Sequence, residues 1–316
     1  MIVTVTMNAA LDRTLSVPNF QPGTRNRASE AIALPGGKGV NVARALKRLG
    51  EPVIATGLAG GRSGTSIIEG LTAEGILNDF VRIRDESRTS TAVIDPNGGQ
   101  TEIIEYGPSV GEDELEILLE KIAFLARGAD LFVFAGSLPR DVGNEFYGKV
   151  IRALPSGVVT ALDVQGTPLR AALAAEPHLV SPNAREAEEI VGYEFSDDAD
   201  LAVAAETLTG MGAACALVHQ EDGCMARLRE KTAKEGMTLR AHLPRREALS
   251  TVGSGDALLA GYLAGFVREE PLEARLTLAV ACGAANTLMP GAGVFSLEDV
   301  QALRRQVQVW RVDAPG

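Results

Sequence analysis

The chain has 316 residues, 46% of them hydrophobic and 22% charged. This composition is typical of a globular protein and excludes a disordered, fibrous or membrane-embedded one. The formal net charge is −11 at pH 7, and an acidic chain repels both nucleic-acid phosphates and anionic lipid, so neither is expected as a partner. The length predicts about two domains, or one large α/β domain that carries an insertion.

The cysteines and the first residues indicate the compartment. Cys215, Cys224 and Cys282 are odd in number and not closely spaced, which argues against a disulfide framework or a zinc site. Residues 1–6 alternate like a strand and lack the basic start of a signal peptide. No run approaches the ~20 apolar residues that a membrane span needs. We therefore predict a cytoplasmic location.

Short β-like runs alternate with helical patterns along most of the chain. The run 131–134 is apolar at every position, as expected for a strand covered by helices on both faces. Such alternation indicates a mainly parallel sheet with right-handed crossovers. Residues 63–75 and a segment after Gly143 are predicted helices, and the chain from 255 to 308 is predicted to be mostly helical. The predicted strands are 1–6, 53–58, 131–135, 158–162, 179–180 and 215–218.

Two segments interrupt this alternation. Residues 89–94 and 100–106 are β-like, and the sequence DPNGG at 95–99 between them is a strong hairpin signal. The stretch 12–34 is irregular and β-like as well. Within a single domain of residues 1–316, we interpret segments 12–34 and 88–107 as a small inserted β subdomain. Such a lid would cover a site and exclude water, or pair with another copy of itself.

A glycine-rich stretch, PGGKGVNVARAL, opens a helical pattern at residues 35–46. Backbone N–H groups at a helix start attract anions and sugar oxygens, and Asn41 offers both a donor and an acceptor to a polyol. The charged positions of this helix, including Arg44, are predicted on its polar face. The stretch is not a Walker A loop, because Ile32 and Gly39 stand where that motif needs other residues. A plain turn before a surface helix is the alternative.

A second glycine-led stretch, TVGSGDALLAG, covers residues 251–261. The N–H groups of Gly253, Ser254 and Gly255 are placed to converge on an anion. Asp256 would then lie within reach of the group that reacts with this anion. The alternative is that Asp256 is only a helix N-cap, which is the preferred interpretation for an isolated motif.

Two further places carry polar residues after predicted strands. Asn183 and Glu186 have the spacing of a capping box, and they are also suited to hold hydrated magnesium, partly through water. Ser137 follows the strand 131–135, at the end of a sheet where α/β proteins bind ligands. His219 and the two other histidines match no metal-binding spacing and are predicted to be structural or exposed.

The four motifs, in this order and spacing, resemble the ribokinase-like (PfkB) carbohydrate kinases across essentially the whole chain. The resemblance rests on GGKGVNVA at 36–43, GSLP at 136–139, NARE at 183–186 and GSGD at 253–256. The sequence NAALDRT at 8–14 is similar to the branch of 1-phosphofructokinases and tagatose-6-phosphate kinases. The resemblance implies a ribokinase-like three-layer αβα core with a small β lid.

The resemblance also implies roles for individual residues. Asp256 matches the catalytic base, residues 253–255 match an anion hole, and Asn183 and Glu186 match the pair that organises magnesium and the nucleotide phosphates. The residues matching contacts to the sugar or its phosphate are Asp12, Gly37, Lys38, Asn41, Arg88, Ser137 and Arg27, the last reaching across from a second subunit. The residues matching the nucleotide site are Gly223, Ser250, Val252, Gly283 and Asn286.

The chain departs from the family's sequence pattern in the strand and turn that come before the nucleotide site. Residues 218–223 read VHQEDG in place of Thr-x-Gly-x-x-Gly, so that only Gly223 remains. Ser181 replaces a frequent lysine, and Ser254 replaces the alanine of Gly-Ala-Gly-Asp. These changes leave open an alternative from another class, a sugar-phosphate-binding protein whose nucleotide site has decayed. A third alternative is that all four motifs are only caps and turns.

The implied reaction transfers the γ-phosphoryl group of ATP, with Mg²⁺, to a primary hydroxyl of a phosphorylated ketohexose. Because QTEIIEYGP at 100–108 is similar to tagatose-6-phosphate kinases, tagatose 6-phosphate is the first choice; fructose 1-phosphate and fructose 6-phosphate are alternatives. We predict that Asp256 stays ionised and is a weak base, because it lies at a helix start. We also predict that the two glycine-led helix starts share one cleft, and that the lid forms a homodimer.

Overall fold

The computed structural model describes residues 1–95, 99–229 and 236–312. The strands, in chain order, are β1 (Ile2–Thr6), β2 (Ala10–Ser16), β3 (Glu30–Gly36), β4 (Val53–Gly60), β5 (Leu77–Ile83), β6 (Arg88–Ile94), β7 (Gln100–Ile104), β8 (Leu131–Ala135), β9 (Val159–Asp163), β10 (Leu179–Val180), β11 (Cys215–Gln220), β12 (Gly223–Leu228), β13 (Met237–His242) and β14 (Gln308–Arg311). The helices are α1 (Lys38–Arg48), α2 (Gly61–Ala73), α3 (Glu112–Leu125), α4 (Phe146–Ala153), α5 (Gly166–Leu173), α6 (Ala184–Val191), α7 (Asp198–Gly210), α8 (Ser254–Val267), α9 (Leu272–Asn286) and α10 (Leu297–Arg304).

Ten of the strands form one large sheet, in the order β14-β13-β12-β11-β10-β9-β8-β1-β4-β5. The strands from β11 to β5 in this order run parallel, and β12, β13 and β14 add an antiparallel edge. In the middle of the sheet, Ile2 of β1 pairs with Val53 on one side and Leu131 on the other. The predicted mainly parallel sheet is confirmed, and it places the carboxyl ends of β1, β8 and β9 side by side.

Helices cover both faces of this sheet, because the buried strands have apolar residues on both. In β8, Val133 belongs to the core shared with α1, α2, α8, α9 and α10, while Phe132 and Phe134 belong to the core shared with α3 to α7. The three-layer arrangement and the mostly helical last third are therefore as predicted. Among the described helices, none is both long and apolar enough to cross a membrane.

The remaining four strands form a separate sheet in the order β3-β2-β6-β7. The β2–β3 hairpin runs from the pair Ala10–Gly36 beside the large sheet to the pair Ser16–Glu30 at its far end. Strand β6 pairs parallel with β2 and antiparallel with β7. The expected small sheet is thus present, while residues 96–98 of the predicted turn lie outside the described residues. That segments 12–34 and 88–107 act together as a lid remains a proposal.

Candidate active site

Helices α1 and α8 begin at the same cleft. Gly37 and Gly253 precede them with positive φ angles of 99° and 77°, which residues with a side chain rarely adopt. Asn41 in the first turn of α1 donates through Nδ2 to Oδ2 of Asp256 in the first turn of α8, over 2.8 Å. The prediction that the two glycine-led helix starts share one cleft is therefore confirmed.

The Asp256 side chain lies in this cleft with little access to water, since the residue is only 6% exposed. Burial raises its pKa to about 7; the Asp163 carboxylate adds to the rise, and Lys38 and the hydrogen bond from Asn41 oppose it. The prediction that the helix start keeps this acid a weak base is wrong. A helix start contributes only ~0.3–1 kcal/mol in most settings, which desolvation exceeds here.

The predicted position of Arg44 is also wrong. This residue was predicted on the polar face of α1, yet it is only 5% exposed. Its guanidinium donates to Oδ1 of Asn41 over 3.2 Å and pairs with the Glu74 carboxylate. The signal for this burial was its position three residues after Asn41, which puts both side chains on one helix face.

Lys38 lies between two buried carboxylates. Its Nζ is 2.7 Å from Oδ1 of Asp163, at the end of β9, and 3.2 Å from Oε1 of Glu186. Burial by itself would lower the pKa of Lys38, but the two carboxylates more than offset this and raise it. Sequence reasoning missed Asp163, although an acid at the carboxyl end of a buried parallel strand was a usable signal.

We expect Lys38→Met to lower the free energy of unfolding by about 1–3 kcal/mol near pH 7, because it leaves the buried carboxylates of Asp163 and Glu186 without their cation. Partial exposure of Lys38 keeps the loss toward the lower end. Urea unfolding followed by circular dichroism measures it. The matched control is Lys149→Met, which removes a lysine paired with Glu145 at the surface and should change little. Equal effects in the two variants would contradict the buried pairing.

Asn183 and Glu186 form the capping box that their spacing allows. Oδ1 of Asn183 accepts from the Glu186 N–H over 2.9 Å, and Oε2 of Glu186 accepts from the Asn183 N–H over 3.0 Å. Among the described residues there is no cluster of three or more His, Cys, Asp or Glu side chains that would hold a metal ion. Magnesium keeps several waters and needs only one or two carboxylates beside substrate phosphates, so Glu186 fits this role.

Asp12 lies on the lid side of the cleft. Its carboxylate packs against Gly36, where an added Cβ would collide with it. Burial raises the pKa of Asp12 to about 6, against the opposing charge of Arg88. The cavity beside it is lined by the small sheet, by helix α1 and by the loops before α8 and after α9, through residues that include Asp12, Ser90, Glu102, Asn41, Arg44 and Ser250.

Ser137 and Arg88 meet at Asn8, after the carboxyl end of β1. Oγ of Ser137 accepts from Nδ2 of Asn8 over 3.0 Å, and Nε of Arg88 reaches the Asn8 carbonyl over 3.4 Å. Within the described parts of the chain, the buried Oδ1 of Asn8 has no hydrogen-bond partner, so a ligand hydroxyl would satisfy it. Sequence reasoning gave Asn8 no role. Arg27, by contrast, is exposed in the loop at the far end of the β2–β3 hairpin.

The predicted nucleotide-site residues cluster beside the start of α8. Asn286 donates through Nδ2 to the Val252 carbonyl over 2.8 Å, and Oγ of Ser250 accepts from the Val252 N–H over 3.3 Å. An added Cβ at Gly283 would lie 3.1 Å from the Ser254 carbonyl oxygen. The structure thus brings these residues of α9, the loop 250–253 and the start of α8 together.

The altered turn that ends at Gly223 is held by side chains. Asp222 accepts from Nη2 of Arg240 over 2.8 Å and from Nε2 of Gln220 over 2.7 Å. Arg240 is almost fully buried, at 1% exposure. Buried charge-assisted hydrogen bonds of this kind fix a geometry. The turn is therefore stabilised by its own ion pair although it lacks the family's first glycine.

His219 lies at the carboxyl end of β11, against the first turn of α8. An added Cβ at Gly255 would lie 2.7 Å from Cε1 of His219, so a side chain there would have to displace the His219 ring. Burial lowers the pKa of His219 to about 4, so its imidazole is neutral near pH 7. The structural role predicted for this histidine agrees with its packing.

Comparison with known proteins identifies the family. Residues 3–299 match the model described as pfkB family carbohydrate kinase. The chain belongs to this family. A 1-phosphofructokinase of Borreliella burgdorferi is 31% identical to this pfkB kinase over 310 residues, which cover 98% of both chains. A tagatose-6-phosphate kinase of Staphylococcus epidermidis is 30% identical over 325 residues, covering 99% of this chain and 100% of that one.

The fold agrees with solved pfkB-like structures. The crystal structure of phosphofructokinase-2 from Escherichia coli in complex with substrates and products superposes with a TM-score of 0.88, at 29% identity over 96% of this chain and 98% of that one. As a member of the pfkB family, the protein is a phosphotransferase that acts on a sugar hydroxyl, and the family implies the use of ATP. The predicted family and enzyme class are confirmed.

Proposed function

We propose that this pfkB kinase transfers the γ-phosphoryl group of ATP to a primary hydroxyl of a phosphorylated ketohexose. The observation that carries this proposal is the 2.8 Å hydrogen bond between Asn41 and Asp256, which ties a buried acid to a residue that lines the cavity under the lid sheet. The hydroxyl oxygen bonds to the γ-phosphorus as the bond to the β,γ-bridging oxygen breaks. The hydroxyl proton passes to Asp256, whose pKa of about 7 suits a base at neutral pH.

The start of α8 supports the role of an anion hole. Gly253 takes a left-handed conformation, and the helix begins at Ser254. The Ser254 N–H makes a long hydrogen bond of 3.3 Å to the Thr251 carbonyl, and the amides that follow it in the first turn have no partner within the helix. Such fixed donors stabilise charge on the transferring group without reorganising. The lid sheet lines the neighbouring cavity through Asp12 and Glu102, and Ser250 and Val252, just before this helix start, line it from the other side. Closure of the lid sheet would keep water from competing for the phosphoryl group.

Cations complete the proposed site. Glu186, aided by Asn183, would hold Mg²⁺ through water, and bound magnesium would neutralise charge on the nucleotide phosphates. Lys38, beside Glu186, adds a fixed positive charge to the same side of the cleft. Arg88 is half-buried next to Asp12 and is our main candidate for binding the substrate phosphate. Lys38 and Arg27 are the other two cations that we propose to bind this phosphate.

Tagatose 6-phosphate remains the first choice among the substrates. The segment 100–108 that suggested it contains β7, which places Glu102 in the cavity near Asp12. The two named relatives differ in substrate, and their identities of 31% and 30% do not separate them. Fructose 1-phosphate is the second candidate and fructose 6-phosphate the third.

An ADP-release assay tests the proposal with these three sugar phosphates and with unphosphorylated fructose, tagatose and ribose. We expect kcat/KM for one phosphorylated ketohexose to exceed that for its unphosphorylated parent by about 10–10², the effect of losing charged hydrogen bonds. Equal use of both forms would contradict a phosphate site. Calorimetry should also show heat with Mg-ATP. If only the sugar phosphate gave heat, the binding-protein alternative would replace the kinase proposal.

We also propose that the lid sheet forms a homodimer. Ile103 and Ile104 are 59% and 58% exposed on the edge strand β7, and an exposed apolar edge strand is a pairing surface. We expect Ile103→Arg to convert a dimer into a monomer in light scattering at micromolar concentration. The matched control is Ile117→Arg on α3, where the native residue is 50% exposed. A monomeric wild-type protein would contradict the proposal.

The proposed compartment is the cytoplasm. Cys215, Cys224 and Cys282 are free and buried, and free thiols are typical of proteins from reducing compartments. Burial also raises the pKa of Cys215 to about 11, which keeps this thiol protonated and unreactive.

A further inference from the structure

We infer that Arg44 is a positioning residue for the catalytic acid, acting through the side-chain amide of Asn41. The inference rests on the proposed role of Asp256 as the base. It assigns Arg44 no contact with the reacting groups. Its effect is to decide which atom of Asn41 faces Asp256.

The guanidinium of Arg44 has all five of its N–H groups engaged. Nη1 donates to Oδ1 of Asn41 over 3.2 Å and to the Ala292 carbonyl over 2.9 Å. Nη2 donates to the Pro35 carbonyl over 2.6 Å and to Oε1 of Glu74 over 2.8 Å, and Nε donates to the other Glu74 oxygen. With every donor used and little exposure, the guanidinium has one orientation that satisfies it.

This fixed donor decides the orientation of the Asn41 amide. Arg44 has no acceptor, so it must face the carbonyl oxygen of Asn41. The amide nitrogen then points the other way, to Oδ2 of Asp256 over 2.8 Å. A flipped amide would set NH₂ against the guanidinium and oxygen against the carboxylate, losing both hydrogen bonds.

The Arg44 guanidinium also connects three parts of the site whose relative positions matter for the reaction. Pro35 lies in strand β3 at the base of the lid, and Ala292 lies in the loop that packs against Gly253. Loss of Arg44 would therefore release the lid base, the anion-hole loop and Asn41 together. Displacements of about 1 Å at such positions cost about 10²-fold in rate.

The charged groups around Asp256 give the inference a readout beyond stability. Asp163 and Asp12 raise the pKa of Asp256, whereas Lys38 and the hydrogen bond from Asn41 lower it. If the amide of Asn41 no longer donates, one of the two opposing contributions is lost and the pKa rises. The base must be deprotonated to act, so the acid limb of kcat against pH would move to higher pH.

The test compares Arg44→Lys and Arg44→Met with wild-type protein in pH profiles of kcat and KM. Lysine keeps the charge but lacks the planar guanidinium group that makes five hydrogen bonds. We therefore expect Arg44→Lys to fold but no longer to hold the Asn41 amide in one orientation. We expect kcat at pH 7 to fall by about 10², KM values to stay nearly unchanged, and the acid limb to shift upward. The matched control is Arg48→Met, since Arg48, on the same helix, donates to the carbonyl of Phe295 over 2.8 Å and is not hydrogen-bonded to Asn41. Its pH profile should not shift.

Three outcomes separate failure of the inference from failure of its premise. A lower melting temperature of Arg44→Lys with an unmoved acid limb would show a purely structural role and overturn the inference, even if Arg44→Met failed to fold. Turnover that survives in Asp256→Asn would instead overturn the proposed function on which the inference rests. An inactive Asp256→Asn together with an unmoved limb in Arg44→Lys would leave the function standing and reject the positioning role.

Discussion

Asp256→Asn should lower kcat by about 10²–10⁴, the range for losing a general base, with little change in the binding of either substrate. The amide has the same shape as the carboxyl group, yet it cannot accept the hydroxyl proton. The wild-type acid is buried, and its pKa of about 7 predicts a kcat that rises with pH through neutrality. Steady-state rates and calorimetric titrations of the variant measure the two parts of this prediction.

A stability measurement separates loss of the base from loss of the fold. The pKa of Asp256 rises from 3.8 to about 7 on folding, so between these values the folded state holds the proton more tightly. This group therefore makes the wild-type protein less stable as pH rises through that window. Asp256→Asn lacks the contribution and should be at least as stable at pH 8. Near-normal turnover in a well-folded variant would contradict the assignment.

Gly253→Ala should lower kcat by about 10²–10³, as the loss of a transition-state donor does. Gly253 has a φ of 77°, and an added Cβ would overlap Cβ of Ala292, lie 2.6 Å from its Cα and lie 3.1 Å from the Gly293 nitrogen. Because part of this obstacle is backbone, the helix start has to move. The amides of residues 254 and 255 would then miss the transferring phosphoryl group.

The control for this prediction is Gly50→Ala. Gly50 has a φ of 85°, and no atom of the residues that the structure describes lies within 4 Å of an added Cβ. The substitution therefore introduces only left-handed backbone strain, about 1–2 kcal/mol, at the opposite end of α1. Its kcat should stay near the wild-type value. If Gly253→Ala behaved in the same way, the anion hole would have to lie elsewhere.

Parallel strand order explains how distant segments build this cleft. Strands β1, β8 and β9 are neighbours, and their carboxyl ends deliver Asn8, Ser137 and Asp163 to one edge of the sheet. The start of α1 reaches the same edge, where Lys38 pairs with Asp163. The buried acids there need a cation or a proton, because desolvation disfavours an unpaired carboxylate. This demand accounts for both the Lys38 pair and the raised pKa of Asp256.

Periodicity and glycine placement were enough to predict the alternating strands and helices. The strand 131–135 was predicted with its observed bounds, because a short apolar run between polar turns has few alternatives. The helix predicted at 63–75 begins instead at Gly61, directly after β4. Gly61 has a positive φ of 63°, and a glycine there allows an abrupt change from strand to helix.

The motifs at 36–43 and 253–256 identified the family and the acid at position 256, because the backbone conformation of a helix start is encoded locally by its glycines. Local sequence does not encode what a side chain meets from other parts of the chain. Arg44 is buried because Glu74, Pro35 and Ala292 surround it. The pKa of Asp256 likewise depends on burial by segments far away in sequence. Desolvation and long-range pairing are properties of the packed molecule, so only the tertiary structure decided them.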